Sequence, residues 1–173
     1  LFVLDDGWFG TRNDDYQGLG DWFVNEKKLC GTLSELVKEV HDMGLSFGLW
    51  FEPEMVNKVS CLYEEHPDWA IHTPGRRMSH GRNQYVLDFS NPQVVDHIYQ
   101  MMEKVLKNSS ISYVKWDMNR NITEAYGASL GADQQGEFFH RYILGVYSLY
   151  ERLIAEFPEI LFESCASGGA RFD

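Results

Sequence analysis

Short apolar runs alternate with amphipathic stretches along the chain, and charged or polar residues follow each run. The runs at 1–4, 45–51, 111–116 and 160–162 have the length of strands and are bounded by Asp, Glu, Gly or Ser. Continuous apolar runs of this kind are typical of strands that are buried on both faces of a parallel sheet. The pattern therefore predicts four strands, the first of which fits a strand buried on both faces, and a further strand-like run lies at 84–89.

Three segments between these runs have the periodicity of amphipathic helices. The first begins where Thr32 and Glu35 have the spacing of a capping box, and Gly44 is its expected end. The second begins at Asn91-Pro92, because proline favours the first turn of a helix, and the third is an aromatic segment at 137–157. The chain is therefore predicted to alternate strands with helices.

This alternation, with no hairpin signal between the main strands, predicts parallel strands joined by crossover helices. A doubly wound sheet and a barrel both fit, and both place their sites at the carboxyl ends of strands. No Gly-x-Gly-x-x-Gly motif follows any strand, and four separate polar strand ends suit a ring. We therefore predict an α/β fold that is part of a (β/α)8 TIM barrel. A whole barrel needs about 250 residues, so residues 1–173 would supply about half of one catalytic domain, truncated at both ends.

Composition excludes several classes of function. Lys and Arg number 15 against 26 Asp and Glu, which gives a net charge of -11, the wrong sign for binding a nucleic-acid backbone. The apolar runs are also too short to span a membrane. The cysteines Cys30, Cys61 and Cys165 are odd in number and form no C-x-x-C pattern, so neither a disulfide framework nor a zinc site is predicted.

Asp117 is the first candidate for chemistry, because it directly follows the apolar and aromatic third strand. Lys115 and Arg120 flank it, and a cation within about 4 to 6 Å lowers the pKa of a carboxylate by favouring its charged form. Such an anion is suited to act as a nucleophile. In a second interpretation, Asp117 caps the next segment and Lys115 forms an ordinary salt bridge.

Asp5 and Asp6 form an acidic pair at the end of the first strand, followed by Trp8 and Phe9. Adjacent strand residues point to opposite faces, so both contact one ligand only if the backbone turns, which Gly7 permits. Carboxylates beside an aromatic surface are suited to bind a polyol such as a sugar ring. The alternative is a turn-forming Asp-Asp-Gly, and a metal site is less favoured because no His lies at ligand spacing.

Other strand ends carry weaker candidates. Trp50 is either a stacking platform or a core residue, and Glu52 and Glu54 are possible acid/base groups or metal ligands separated by a loop-shaping proline. Arg82 lies in a loop where hydroxyl or anion recognition competes with a simple solvated face. Cys165 belongs either to a nucleophile loop or, more commonly for such a thiol, to a buried tight turn.

Taken together, four motifs resemble glycoside hydrolase family 36, the microbial α-galactosidases. They occur in the family's order and cover essentially the whole chain. The motifs are Asp5-Asp6-Gly7-Trp8-Phe9, Trp50-Phe51-Glu52-Pro53-Glu54-Met55-Val56, Lys115-Trp116-Asp117-Met118-Asn119-Arg120, and Glu163-Ser164-Cys165 with Gly168-Gly169-Ala170-Arg171-Phe172-Asp173.

The resemblance implies a catalytic (β/α)8 barrel that hydrolyses terminal α-galactosides such as melibiose and raffinose with retention of configuration. It implies no metal and no organic cofactor, and it makes Asp117 the nucleophile. The residues that would contact the sugar on this pattern are Asp5, Asp6, Trp50, Arg82, Lys115, Trp116, Asn119 and Cys165.

Retaining hydrolysis needs two carboxyl groups about 5 to 5.5 Å apart, one to attack and one to protonate the leaving oxygen. Asp173 belongs to the Arg-Phe-Asp segment, whereas the family's proton donor lies on a later strand end. We therefore expect the acid/base residue beyond position 173, and the isolated segment to be nearly inactive.

Two alternatives to hydrolysis stay open at this point: an α-galactosyltransferase of the raffinose synthase type, and a non-catalytic galactoside-binding protein. In each case the expected partners are α-galactoside oligosaccharides, with no nucleic acid and no membrane. Family resemblance further implies a homo-oligomeric parent, and the acidic composition predicts a cytoplasmic location.

Overall fold

Four parallel strands form the main sheet of the protein, seen in a computed structural model that describes residues 1–166. The strands stand in the order β1-β2-β5-β6, and every neighbouring pair is parallel. The predicted α/β class is confirmed. In chain order the elements are β1 (Phe2–Leu4), α1 (Glu26–Leu29), α2 (Leu33–Asp42), β2 (Phe47–Phe51), β3 (Met55–Val56), α3 (Cys61–Glu65), β4 (Tyr85–Val86), α4 (Pro92–Lys107), β5 (Tyr113–Trp116), α5 (Phe138–Glu156) and β6 (Leu161–Ser164), with 3₁₀ turns at Pro67–Trp69 and Gln135–Glu137.

The strand register brings the candidate residues to one edge of this sheet. Leu4 pairs with Leu49, and Trp50 pairs with Lys115, so β1, β2 and β5 end close together. Because parallel strands share a direction, the residues that follow them meet at the same edge. Asp5 and Asp117, which follow β1 and β5, therefore lie near the end of β2.

The predicted helix boundaries are confirmed within two residues. Thr32 and Glu35 form the capping box of α2, and Gly44, with φ of 78°, follows its end. Asn91 caps α4 through its side chain, which accepts from the Gln93 backbone N–H. Local hydrogen bonding therefore sets these boundaries, and tertiary packing sets the apolar faces.

Helices α4 and α5 pack together through a close approach of backbone. A Cβ atom placed on Gly145 of α5 would lie 1.9 Å from the carbonyl oxygen of Phe89. No side chain fits at that distance, so glycine lets α5 approach the segment that leads into α4. The contact fixes the helix layer behind β5.

Some expectations from the sequence were wrong. β1 is not buried on both faces, since Phe2 is 40% exposed, and among residues 1–166 only β2 pairs with it. Glu163 lies inside β6 instead of following it. The strand-like run predicted at 84–89 contains β4, which pairs antiparallel with β3. The short helices α1 and α3 and the strand β3 were not predicted, because elements of two to five residues are too short to show periodicity.

An aromatic cluster fills the space behind the end of β2. Trp8 packs edge-on against Phe51 with ring centroids 5.1 Å apart, and Phe9 lies 4.4 Å from Trp22. All four side chains are at most 1% exposed. This core supports the edge of the sheet that carries the polar residues. None of the helices within residues 1–166 has the length and apolarity needed to cross a membrane.

Candidate active site

Asp117 is held in one orientation by hydrogen bonds from several segments. Its Oδ2 accepts from the Asn119 side-chain amide at 2.7 Å and from the Trp50 indole N–H at 3.2 Å. Its Oδ1 accepts from the Met118 backbone N–H at 2.9 Å, and the Cys165 side chain also hydrogen-bonds to the carboxylate. The Asp117 residue is only 7% exposed. The site therefore fixes a mostly buried carboxylate with four donors.

These donors keep Asp117 ionised. Burial alone would raise the pKa of Asp117, but hydrogen bonds from Asn119, Trp50, Cys165 and the Met118 backbone outweigh it, and the pKa lies below its ordinary value. The sequence predicted this direction but attributed it to flanking cations. Arg120 is not the cause, because its guanidinium donates to the Ser79 carbonyl at 2.8 Å.

Lys115 forms an ion pair with Asp5 across the sheet. Its ammonium lies 2.9 Å from Asp5 Oδ2, which joins the ends of β1 and β5. The hydrogen bond to Asp5 is the main reason that the pKa of Lys115 is raised, and the charge of Asp117 adds to it. The lysine therefore lies between two carboxylates, with Asp5 as its direct partner.

Asp6 does not share the cation of Asp5 but pairs with a buried arginine. The Arg12 guanidinium contacts both carboxylate oxygens of Asp6, at 2.9 Å and 2.8 Å, and its third nitrogen donates to Asn57 at 3.0 Å. The side chain of Arg12 is 5% exposed, whereas that of Asp6 is 41% exposed. The two aspartates are therefore anchored by different cations, and Arg12 restricts Asp6 to one geometry.

Trp50 lies in the core and touches the site through one atom. It is 3% exposed, and its ring stacks at 6.1 Å on Phe9. Its indole N–H points to Asp117, as described above. Of the two interpretations of Trp50, the structure places it in the core, where it orients the carboxylate.

The structure does not bring Trp116 to the site. Alternation along β5 directs Lys115 to one face of the sheet and Trp116 to the other. Trp116 is 0% exposed, its ring stacks 4.0 Å from that of Tyr150, and its N–H donates to Glu54 at 2.8 Å. Glu54 is itself buried and accepts from the Tyr142 hydroxyl at 3.0 Å. Trp116 and Glu54 therefore connect the sheet to α5, and Trp116 is completely buried on that side of the sheet.

Arg82 belongs to a tight loop beside Asn119. Arg82 and Asn83 both adopt left-handed backbone, with φ of 51° and 60°, and the loop closes through a 2.9 Å bond from the Gln84 N–H to the Gly81 carbonyl. Arg82 is exposed and lines a groove of about 320 Å³ together with Asn119. The structure therefore brings the predicted arginine to the neighbourhood of the Asp117 segment.

Glu52 follows β2 and is buried beneath this loop. The residue is 1% exposed, and its two carboxylate oxygens accept from the Asn119 backbone N–H at 2.5 Å and from the Gln84 side-chain amide at 3.0 Å. Burial raises the pKa of Glu52 to about 7, and the charge of Asp117 adds to the rise. Two sequence candidates, Glu52 and Glu54, therefore have different surroundings.

Cys165 continues the pairing of β6, since its N–H donates to the Trp116 carbonyl at 2.7 Å, and its thiol is half-buried beside Asp117. The segment containing Gly168, Gly169 and Asp173 lies outside the described residues. Across residues 1–166, no group of three or more His, Cys, Asp or Glu side chains is arranged to hold a metal ion.

Three supporting residues were missed by sequence reasoning: Arg12, Asn57 and Gln84. Each is buried. Arg12 bonds to Asp6 across 6 positions and Gln84 bonds to Glu52 across 32, whereas Asn57 acts indirectly by accepting from Arg12 across 45 positions. The only available signal was indirect, because Arg12 follows the first acidic motif. Partners that are so distant in sequence can be identified only when the fold is known.

Comparison with known proteins gives the family. The family model described as Melibiase matches residues 1–173. The α-galactosidase Mel36A of Lactobacillus acidophilus is 53% identical over the whole chain, which spans 24% of that protein. The structure of the GH36 α-galactosidase AgaB from Geobacillus stearothermophilus superposes with a TM-score of 0.97 at 53% identity, over 100% of this chain and 24% of that one. A variant of AgaA from the same organism, solved in complex with raffinose, gives a TM-score of 0.95 at 53% identity, with 99% and 24% covered.

The parallel α/β sheet carries its polar residues at the carboxyl ends of its strands, as α/β barrels do. The chain belongs to the Melibiase family, and the predicted resemblance to the family 36 α-galactosidases is confirmed. It spans about a quarter of the length of the curated relatives that it matches.

Proposed function

We propose that this chain is the nucleophile-bearing part of a retaining α-galactosidase. The observation that carries the proposal is the state of Asp117, a carboxylate kept ionised by four hydrogen-bond donors and held at the edge of the sheet. Relatives at 53% identity are α-galactosidases, and one was solved with raffinose. The substrates we infer are terminal α-galactosides of this type.

In the proposed reaction, a carboxylate oxygen of Asp117 attacks the anomeric carbon of the galactosyl unit. A C–O bond to the enzyme forms, the glycosidic C–O bond breaks, and the leaving oxygen takes a proton from a carboxylic acid. Water then attacks the same carbon on the face opposite Asp117, the C–O bond to Asp117 breaks and its carboxylate leaves, and one proton of the water passes to the second group, which is now a carboxylate. Two inversions leave the product with the α configuration of the substrate.

Two chemical demands fall on the nucleophile. It has to be ionised before attack and has to become a leaving group afterwards, so a pKa below the ordinary value helps both states. The Asn119 amide and the Trp50 indole bond to the same oxygen, Oδ2, which restricts rotation of the carboxylate. Such positioning contributes to rate because the reacting atoms start near their bonding distance.

The sugar-binding groups we propose are Asp5, Asp6, Arg82, Lys115, Asn119 and Cys165. Asp5 and Lys115 present an ion pair whose side chains are 59% and 29% exposed, and a sugar hydroxyl can bridge such a pair by donating to the carboxylate and accepting from the ammonium. Asp6 keeps a fixed, partly exposed carboxylate through Arg12. Trp50 is proposed to orient Asp117 instead of stacking on the sugar.

We extend the proposal to the architecture. The four parallel strands would form about half of a (β/α)8 barrel in a single catalytic domain, and the acid/base carboxyl would follow residue 173 in the parent chain. Relatives four times as long support this division. Alone, residues 1–173 would then be nearly inactive.

The test uses the full-length parent and an aryl α-galactoside. Asp117→Ala should lose at least about a thousandfold in kcat, as expected for removal of a nucleophile. Added azide should restore turnover and give β-galactosyl azide, because azide replaces the carboxylate and only one inversion occurs. Unimpaired hydrolysis by the variant contradicts the assignment of Asp117, and wild-type release of β-galactose contradicts retention.

A further inference from the structure

Glu52 lies between the Asp117 segment and the Arg82 loop and bonds to both. One carboxylate oxygen accepts from the Asn119 backbone N–H at 2.5 Å, and the other accepts from the Gln84 amide at 3.0 Å. Asn119 in turn donates its side-chain amide to Asp117 at 2.7 Å. A continuous chain of hydrogen bonds therefore runs from Gln84 through Glu52 and Asn119 to the proposed nucleophile.

We propose that Glu52 is a positioning residue that fixes Asn119 and the Arg82 loop relative to Asp117. The inference rests on the proposed function, since it assigns a role toward the nucleophile named there. Glu52 is 1% exposed and follows strand β2, whose five residues are all buried, so the position of Glu52 is rigidly defined.

The Arg82 loop needs such an anchor because its backbone is strained. Left-handed φ at two consecutive non-glycine residues, Arg82 and Asn83, costs of order 1 kcal/mol or more each and persists only where surrounding contacts enforce it. Gln84 ends the loop, is 2% exposed, and bonds to Glu52. The Asn83 carbonyl accepts from the Asn57 amide at 2.8 Å, which holds the other side of the loop.

A proton-donor role for Glu52 has to be weighed, because its pKa of about 7 suits a general acid. Geometry excludes this role: each oxygen already accepts from an N–H, and 1% exposure leaves no path to a leaving group. Its charged neighbours are Asp117, which raises the pKa, and Arg82, which lowers it. Glu52 therefore acts through the groups that it holds and not by proton transfer.

A glutamine at position 52 can preserve the network. Its oxygen would accept from Asn119, and its amide would donate to the Gln84 Oε1, which is buried without a hydrogen-bond partner in the described part of the chain. Rotation of the Gln84 side-chain amide exchanges its nitrogen and oxygen, so that Oε1 faces the side chain of residue 52. Glu52→Gln therefore keeps both hydrogen bonds and removes only the charge, whereas Glu52→Ala removes the bonds.

The experiment compares these variants in the full-length parent with an aryl α-galactoside. We expect Glu52→Ala to lose about a hundredfold in kcat with little change in KM, the loss typical of a reacting group misplaced by about 1 Å. We expect Glu52→Gln to stay within about tenfold of wild type. Alanine activity within threefold of wild type overturns the proposal, as does a glutamine variant as impaired as the alanine variant.

A second measurement decides the matter even if Glu52→Ala does not fold. The ratio of kcat/KM between wild type and Glu52→Gln is measured from pH 5 to 9. We expect the ratio to stay within about tenfold over this range, because glutamine keeps both hydrogen bonds. A glutamine variant impaired more than tenfold at every pH overturns the proposal. Glu54→Gln is the matched control, since Glu54 is equally buried but bonds to Trp116 and Tyr142 instead of the Asp117 segment.

A double-mutant cycle separates this inference from the proposed function. Asn119→Ala keeps the backbone N–H that Glu52 binds but cuts the link to Asp117, so the added loss from Glu52→Ala should shrink at least fivefold in that background. Full additivity overturns the positioning role alone. Absence of azide rescue in Asp117→Ala, by contrast, overturns the proposed function, whatever the cycle shows.

Discussion

The edge of the sheet and the helix layer behind it are built by different interactions. At the edge, Asn119 donates hydrogen bonds to both Glu52 and Asp117, and the pKa is raised for Glu52 and lowered for Asp117. In the layer, Gly145 of α5 meets the Phe89 carbonyl at a distance that excludes any side chain. The edge holds polar groups in place at a cost in free energy, whereas the layer gains stability from close packing.

The difference teaches how buried glutamates should be interpreted. Glu52 and Glu54 are two residues apart and both at most 1% exposed. Burial, with a smaller contribution from the charge of Asp117, raises the pKa of Glu52 to about 7. Glu54 accepts hydrogen bonds from the Trp116 indole and the Tyr142 hydroxyl. Substitutions at the edge should therefore change pH dependence and activity, and those in the layer should change stability alone.

The largest effect on stability should come from the charge of Glu52. Its pKa rises from 4.5 in the unfolded chain to about 7 in the folded one, so its contribution to stability is present below pH 4.5 and is lost as pH rises through 7. At about 1.4 kcal/mol per pH unit, the loss is about 3 kcal/mol. Denaturant unfolding of the parent and its Glu52→Gln variant at pH 4.5 and 8 measures it.

The variant should gain on wild type by about that amount between the two pH values. A constant difference would show that Glu52 titrates equally in the folded and unfolded chains.

Much of the fold and part of this edge could be predicted from sequence, for physical reasons. The α2 capping box of Thr32 and Glu35 and the start of α4 at Pro92 depend on residues three or four positions apart, which a sequence displays. Asp117 was found because it ends an apolar strand. Local patterns are therefore sufficient where the interaction itself is local.

The rest depends on pairs that are distant in sequence. Gln84 reaches Glu52 across 32 positions, and Arg12 reaches Asn57 across 45. Trp116 was assigned to the sugar site by motif, but strand alternation directs it to α5. A motif names residues that occur together, and only the fold tells which face of the sheet each one occupies.

The helix layer supplies the next prediction. Gly145→Ala places a methyl group 1.9 Å from the Phe89 carbonyl oxygen, so α5 has to shift, and we expect a loss of about 2 kcal/mol in unfolding free energy. Denaturant unfolding of the parent measures it, with Gly136→Ala as the matched control because nothing lies within 4 Å of that Cβ position. Equal stability of the two variants would contradict the close packing of α5.

The smallest effect on stability is expected for the ion pair between Asp5 and Lys115, which is the contact at the edge most open to solvent. Their side chains are 59% and 29% exposed, so Asp5→Asn should change the unfolding free energy by less than about 1 kcal/mol. The same substitution removes the charge of a proposed acceptor for a sugar hydroxyl and should raise KM about tenfold or more, since losing a hydrogen bond to a charged group costs about 1.5 to 3 kcal/mol. Lys38 and Asp42 form an exposed pair on α2, and Asp42→Asn is the control that should leave both quantities unchanged. If Asp5→Asn weakens folding without raising KM, the pair belongs to the scaffold, and the edge of the sheet would differ less from the helix layer than its geometry indicates.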